Sequence, residues 1–105
     1  MVVNYLGYNM PNMSEYPLVE IIWVDAEEYG EVGWNELKNV KRYAKKPCPI
    51  MHTVGYVIHR TDTHISLIST VGDKECSTLE KIPISFVKDI IKLERVPEKK
   101  TNAKL

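Results

Sequence analysis

The sequence has little cysteine, no long apolar run and, across its first 37 residues, no lysine or arginine. Cys48 and Cys76 are the only two cysteines, far apart and without CxxC spacing. They read as free thiols in a reducing compartment, not as a disulfide framework or a zinc site. The longest uninterrupted apolar stretch is the four residues from Ile21 to Val24, far short of the roughly 20 residues that a membrane-spanning helix needs. The opening "MVVNYLGYNMPNM" lacks a basic start and a compact apolar segment ending in small residues, so no cleaved secretory signal is expected and the cytoplasm is the expected location. No G-x-S-x-G elbow, cysteine-nucleophile signature or glycine-rich phosphate loop is present, so the chain reads as non-catalytic, with no cofactor.

What is present is a chain of 105 residues, 44% hydrophobic and 27% charged, ordinary for one globular domain able to bury a two-layer core. The net charge of zero conceals a split. Residues 1–37 hold seven acids (Glu15, Glu20, Asp25, Glu27, Glu28, Glu31 and Glu36), whereas residues 38–105 hold all 14 bases and the other seven acids. One half carries minus seven and the other plus seven. Either the halves neutralise each other within the fold, or they steer association with a charged partner or a second copy, which makes a homo-oligomer the expectation. A dedicated nucleic-acid binder more often has a net basic balance, so nucleic acid is not the expected partner.

Residues 1–17 lack periodicity and read as an extended arm, ending at "YPLV", where proline favours an extended Tyr16. "LVEIIWV" (18–24) is β-branched and aromatic; Glu20 interrupts one face, so Val19, Ile21 and Trp23 are expected to face the core. "VDAEEYGEVGW" follows as an acidic loop, with Gly30 and Gly33 for backbone freedom. "NELKNVKRYA" (35–44) spaces Leu37, Val40 and Tyr43 by threes, predicting a short amphipathic helix capped by Asn35 and stopped by "KKPCP". "IMHTVGYVIHR" (50–60) and "HISLISTV" (64–71), joined by "TDT", predict a hairpin with Val54, Tyr56 and Ile58 on the face opposed by Ile65 and Leu67, bent at Gly55. "TLEKIPI" (78–84) reads as a further strand. Residues 85–96 fit a helix, or one turn and a last strand over 90–95; the second reading is preferred because a closing strand removes an exposed edge. "PEKKTNAKL" reads as a flexible tail over 97–105. The domain is therefore expected over residues 18–96, mainly β, with about five antiparallel strands and one short helix in the loop after the first.

This order, together with "WVDA" (23–26), "GW" (33–34), "TVGYVI" (53–58), "ISL" (65–67) and "IPISFV" (82–87), resembles small uncharacterised accessory proteins of tailed bacteriophages that have a Src-homology-3-like barrel. The resemblance covers residues 18–95 and implies a phage protein acting in the cytoplasm of a bacterial host, with no catalytic residue to carry over.

Three groups of side chains could carry chemistry. The acids Asp25, Glu27, Glu28 and Glu31 do not follow the spacing of a calcium loop; Asp25 suits a turn, and the group suits a solvated surface or recognition of a basic protein partner. His59 and His64 flank Asp62 at the hairpin turn, but two histidines fall short of the three or four ligands that a metal needs, and no metal site is expected. The run "KNVKRYAKK" (38–46) interleaves cations with Tyr43, downstream of Trp34. It is either the solvated face of a helix or a clamp for phosphates and bases. Trp23 reads as core and Trp34 as a core lid or a binding anchor.

The candidate ligand residues are accordingly Trp34, Arg42, Tyr43, Lys45, His59 and Arg60, and the candidate protein-interaction residues are Asp25, Glu27, Glu28 and Glu31. The first expectation is a module that engages a host protein and modulates or counters its function. The alternatives are a sponge for a small anionic nucleotide signal, with Arg42, Lys45 and Trp34 as contacts, and a minor virion or assembly component joined through the arm.

Overall fold

The computed structural model describes residues 16–94 and the backbone of a strand pair, β1 (Val2–Val3) with β2 (Asn9–Met10). The rest of the expected arm, the tail over 97–105 and the end of the expected last strand lie outside the described residues. The main sheet has β3 (Leu18–Val24), β4 (Ile50–Arg60), β5 (His64–Ile68), β6 (Glu80–Pro83) and β7 (Val87–Lys92), with the helix α1 (Leu37–Ala44) between β3 and β4 and a 3-10 turn over Ile84–Phe86 before β7. Its five strands are antiparallel, in the order β6-β5-β4-β3-β7.

β3 is an interior strand, between β4 and β7, for the reason its sequence suggests. Val19, Ile21 and Trp23 alternate onto one face and register against Gly55, Thr53 and Met51 of β4, and against Lys92, Ile90 and Val87 of β7. The sheet curls so that β5 and β6 add Ile65, Leu67 and Ile82 to the same core, with Trp23, Val57, Ile84, Val87 and Ile90 packed around them. Ile21, Ile65, Leu67 and Ile82 are almost completely buried, each contributing about 1.5–3 kcal/mol. The Trp23 indole N–H, only partly buried, donates to Thr53 Oγ1 at 2.9 Å, which satisfies its polar end.

Two expectations about the sheet are corrected. Val54, Tyr56 and Ile58 do not face the core: Val54 is 53% exposed and Ile58 37%, while Thr53, Gly55 and Val57 occupy the inner register. The reason is the close approach of β5 at Gly55, where an added Cβ would stand 2.9 Å from the Ile68 carbonyl oxygen and 3.3 Å from Leu67 Cβ. A residue without a side chain is needed on the inside of that curve, and an irregularity between Val57 and His59 bends the strand further. Second, the last strand does not close the sheet. β7 pairs with β3, leaving β6 and β7 at opposite edges, with no ladder between them among the described residues.

These edges are blunted locally. Pro83 ends the short β6, and a bulge opposite Ile22 and Trp23 displaces Lys88 from the β7 ladder, both devices that discourage strand addition.

Candidate interaction site

Residues 25–49 leave the sheet between β3 and β4. The base of this excursion is held by the Asp25 N–H, which donates to the Pro49 carbonyl at 3.0 Å, next to the last rung between Val24 and Ile50. Asp25 Oδ1 accepts from the Ala26 N–H at 2.9 Å, so this acid shapes the turn.

The loop then reverses at Gly30 and Gly33, with φ of 109° and 110°, backbone values that favour glycine. Two residues past Gly33, Asn35 fixes a tight turn: its Oδ1 accepts from the Glu31 N–H at 3.0 Å and its Nδ2 donates to the Glu31 carbonyl at 2.9 Å. Asn35 is therefore not the helix cap. That position is Glu36, whose side chain makes no capping bond, because the Asn35 amide is already spent on the loop. A Cβ on Gly30 would come within 2.8 Å of Asn35 Oδ1, so the glycine is also what admits the amide.

α1 buries no residue. Its packing partner is the loop. The rings of Tyr29 and Tyr43 stack with centroids 3.9 Å apart and planes inclined by 17°. The Tyr43 hydroxyl donates to Glu27 Oε2 at 2.6 Å, and the Lys46 ammonium lies 5.2 Å from the Tyr43 ring centre. The Glu27 carboxylate, as acceptor and as nearby negative charge, keeps the phenol proton in place and raises the Tyr43 pKa above its ordinary value.

Beside this stack is an open cavity of about 340 Å³ lined by Tyr29, Asn39, Arg42, Tyr43 and Lys46. An adjoining one of about 330 Å³ reaches Glu27, Val40 and Cys48. At the loop tip, Val32 and Trp34 are fully exposed, and Leu37 is 64% exposed. Glu28 and Glu31 are exposed as well. Among the described residues, an ion pair joins only Lys92 with Glu94, at 3.6 Å, while His52 Nδ1 lies 2.9 Å from Glu20 Oε2. The acidic loop and basic helix are thus held together by aromatic stacking and one hydrogen bond, and their opposite charges do not pair.

The structure divides the expected ligand residues. Arg42 and Tyr43 line the cavity; Lys45 and Trp34 do not. His59 and Arg60 are at the opposite end of β4 from the excursion, separated by up to about 33 Å of strand at 3.3 Å per residue, so one ligand site cannot include them. His59 and His64 have ring centres 6.2 Å apart, and His64 Nδ1 is engaged with Thr63 Oγ1 at 3.0 Å. No group of three or more His, Cys, Asp or Glu is placed to hold a metal ion among the described residues. Of the expected interaction acids, Asp25 and Glu27 serve the loop itself, whereas Glu28 and Glu31 direct charge outward.

Tyr29 and Asn39 were not expected at the site, and neither were the exposed Val32 and Leu37; Lys46 belongs to the basic run over 38–46. Asn39, Arg42, Tyr43 and Lys46 follow i, i+3, i+4, i+7 spacing, a signal readable in the sequence; no local pattern announces the stacking of Tyr29. No protein-family model, curated protein or solved structure matches this chain. Among the described residues, no helix is long and apolar enough to cross a membrane.

Proposed function

We propose that this is a non-catalytic, phage-encoded binding module that engages a host protein through the excursion over residues 25–49 and modulates or counters what that protein does in the host cytoplasm. The observation that carries the reading is the loop tip, where Val32 and Trp34 stand fully exposed beside Glu28 and Glu31. A wholly exposed tryptophan gains nothing for the fold. On a loop pinned by Asn35 and flanked by positive-φ glycines, it is a prepositioned anchor of the kind that dominates protein interfaces.

The complementary partner surface is an apolar pocket rimmed by lysine or arginine, since the tip segment 27–36 carries Glu27, Glu28, Glu31 and Glu36 and no cation. The scaffold is read as a Src-homology-3-like barrel with one seam lacking a ladder, on the strength of the strand order and of the single turn between β6 and β7. Loops between strands of a rigid sheet are where binding residues are commonly displayed.

The test is affinity capture from host cells, comparing the wild type with a Val32→Ser/Trp34→Ala double variant, followed by binding measurements on the purified pair. A host protein retained by the wild type and lost by a variant of unchanged melting temperature supports the reading. Equal recovery by both proteins, or recovery by neither, overturns it.

A further inference from the structure

The basic surface of α1 is the strongest feature that the loop tip leaves unexplained. At 3.6 residues per turn, Lys41, Lys38 and Arg42 share an arc of about 100° on α1, continued by Lys45 at the C-cap and Lys46 just beyond it. No carboxylate interrupts that arc in the sequence, and none forms an ion pair with it among the described residues. Lys38 and Arg42 are like-charge neighbours four apart within α1, an arrangement that weakens a helix. The helix is only eight residues long and buries none of them, so it is marginal by itself, although Lys41 and Arg42 in its last turn suit the negative end of its dipole. Bound negative charge would reverse that penalty.

Where the arc ends, its chemistry changes. Arg42 and Lys46 share a cavity of about 340 Å³ with the Asn39 amide and the Tyr29 and Tyr43 rings, a volume near the lower end of small-ligand sites. One face of Tyr43 is covered by Tyr29, and the Lys46 ammonium lies over its ring. Tyr29 is 51% exposed, which leaves its outward face for one more planar ring.

We infer that this cavity binds a free nucleotide carrying two or more phosphate charges, the phosphates on Arg42 and Lys46 and the base against Tyr29, with Asn39 within reach of polar groups on the base or sugar. Arginine supplies a planar fork for phosphate oxygens, and lysine a point charge. A single available ring face accommodates one base, whereas single-stranded nucleic acid is held by several rings in succession. Val32 and Trp34 are not part of the site, so the inference stands or falls independently of the protein partner.

The experiment is titration calorimetry on the full chain with ADP, ATP, AMP, inorganic pyrophosphate and a ten-nucleotide oligothymidine, repeated at two salt concentrations. ADP and ATP should bind more tightly than AMP and more tightly than pyrophosphate, and should raise the melting temperature by linkage. Arg42→Gln/Lys46→Gln should weaken ATP binding by about tenfold or more, as expected for lost charge-assisted bonds, while the free protein melts at the same or a higher temperature. Tyr29→Leu should weaken ATP but not pyrophosphate, and Val32→Ser/Trp34→Ala should leave ATP binding unchanged. No heat with any nucleotide, tighter binding of the oligothymidine than of ATP, or equal loss of ATP and pyrophosphate in Tyr29→Leu would each overturn the assignment.

Discussion

Replacing Gly55 by alanine tests how the sheet is built, because adjacent residues of β4 make opposite demands. The added Cβ would stand 2.9 Å from the Ile68 carbonyl oxygen and 3.3 Å from Leu67 Cβ, against an ordinary contact of at least about 3.4 Å. The first obstacle is backbone, in a strand whose Ile65, Leu67 and Ile68 are all buried, so relief requires β5 to move away from β4. Overpacking of this kind costs about 1–3 kcal/mol.

For a chain of this size each kcal/mol is worth about 4–8 °C, so a fall in melting temperature on the order of 10 °C is expected. Val54→Ala removes two methyl groups from a residue that is 53% exposed; with roughly half the transfer energy at stake, it should cost under about 1 kcal/mol. The assay is urea or thermal unfolding of both variants, followed by circular dichroism. If Val54 faced the core, as its sequence context suggests, the order would invert: Val54→Ala would be the damaging change, and Gly55→Ala neutral or mildly stabilising. That inverted order would refute the inward register of Gly55.

Three further outcomes are expected. Trp34→Ala should leave stability within about 0.5 kcal/mol, since the side chain is fully exposed, yet weaken a captured partner by about 2 kcal/mol or more, roughly 30-fold by calorimetry. Asn35→Ala removes both hydrogen bonds to Glu31 and should cost about 1 kcal/mol, with faster amide exchange confined to residues near 30–36 and the β3–β4 ladder unaffected. Tyr43, with its pKa raised chiefly by the hydrogen bond to Glu27, should ionise at higher pH than a free tyrosine in an ultraviolet titration. Because the folded value lies above the unfolded value of about 10, the contact stabilises the excursion below that pH and is lost as pH rises through the folded pKa. Glu27→Ala should lower the Tyr43 pKa back toward its ordinary value.

Much of the sheet was legible because its signals are short-range. The alternation in "LVEIIWV", broken on one side by Glu20, determined both the span of β3 and its buried face, and the β-branched runs around "TDT" determined where β4 and β5 meet. Residues 85–96 fit a helix as well as one turn and a last strand over 90–95; the structure has the turn, at Ile84–Phe86, and starts the strand earlier, over Val87–Lys92. The charge split was also plain in the sequence, as was the cluster of cations on α1.

The tertiary structure decided the rest, because the deciding contacts join residues distant along the chain. β4 is apolar on both faces, so its inner face was chosen by the approach of Leu67 and Ile68 to Gly55. Asn35 had two uses for one amide, and the reversal at Gly30 and Gly33 gave it to the loop, not the helix. Tyr29 became part of a cavity through a stack across fourteen residues, while the length of β4 separated His59 and Arg60 from that cavity. Periodicity in a sequence reports which side chains share a face; which of two plausible faces is buried depends on what the rest of the chain brings against it, and that is a property of the fold.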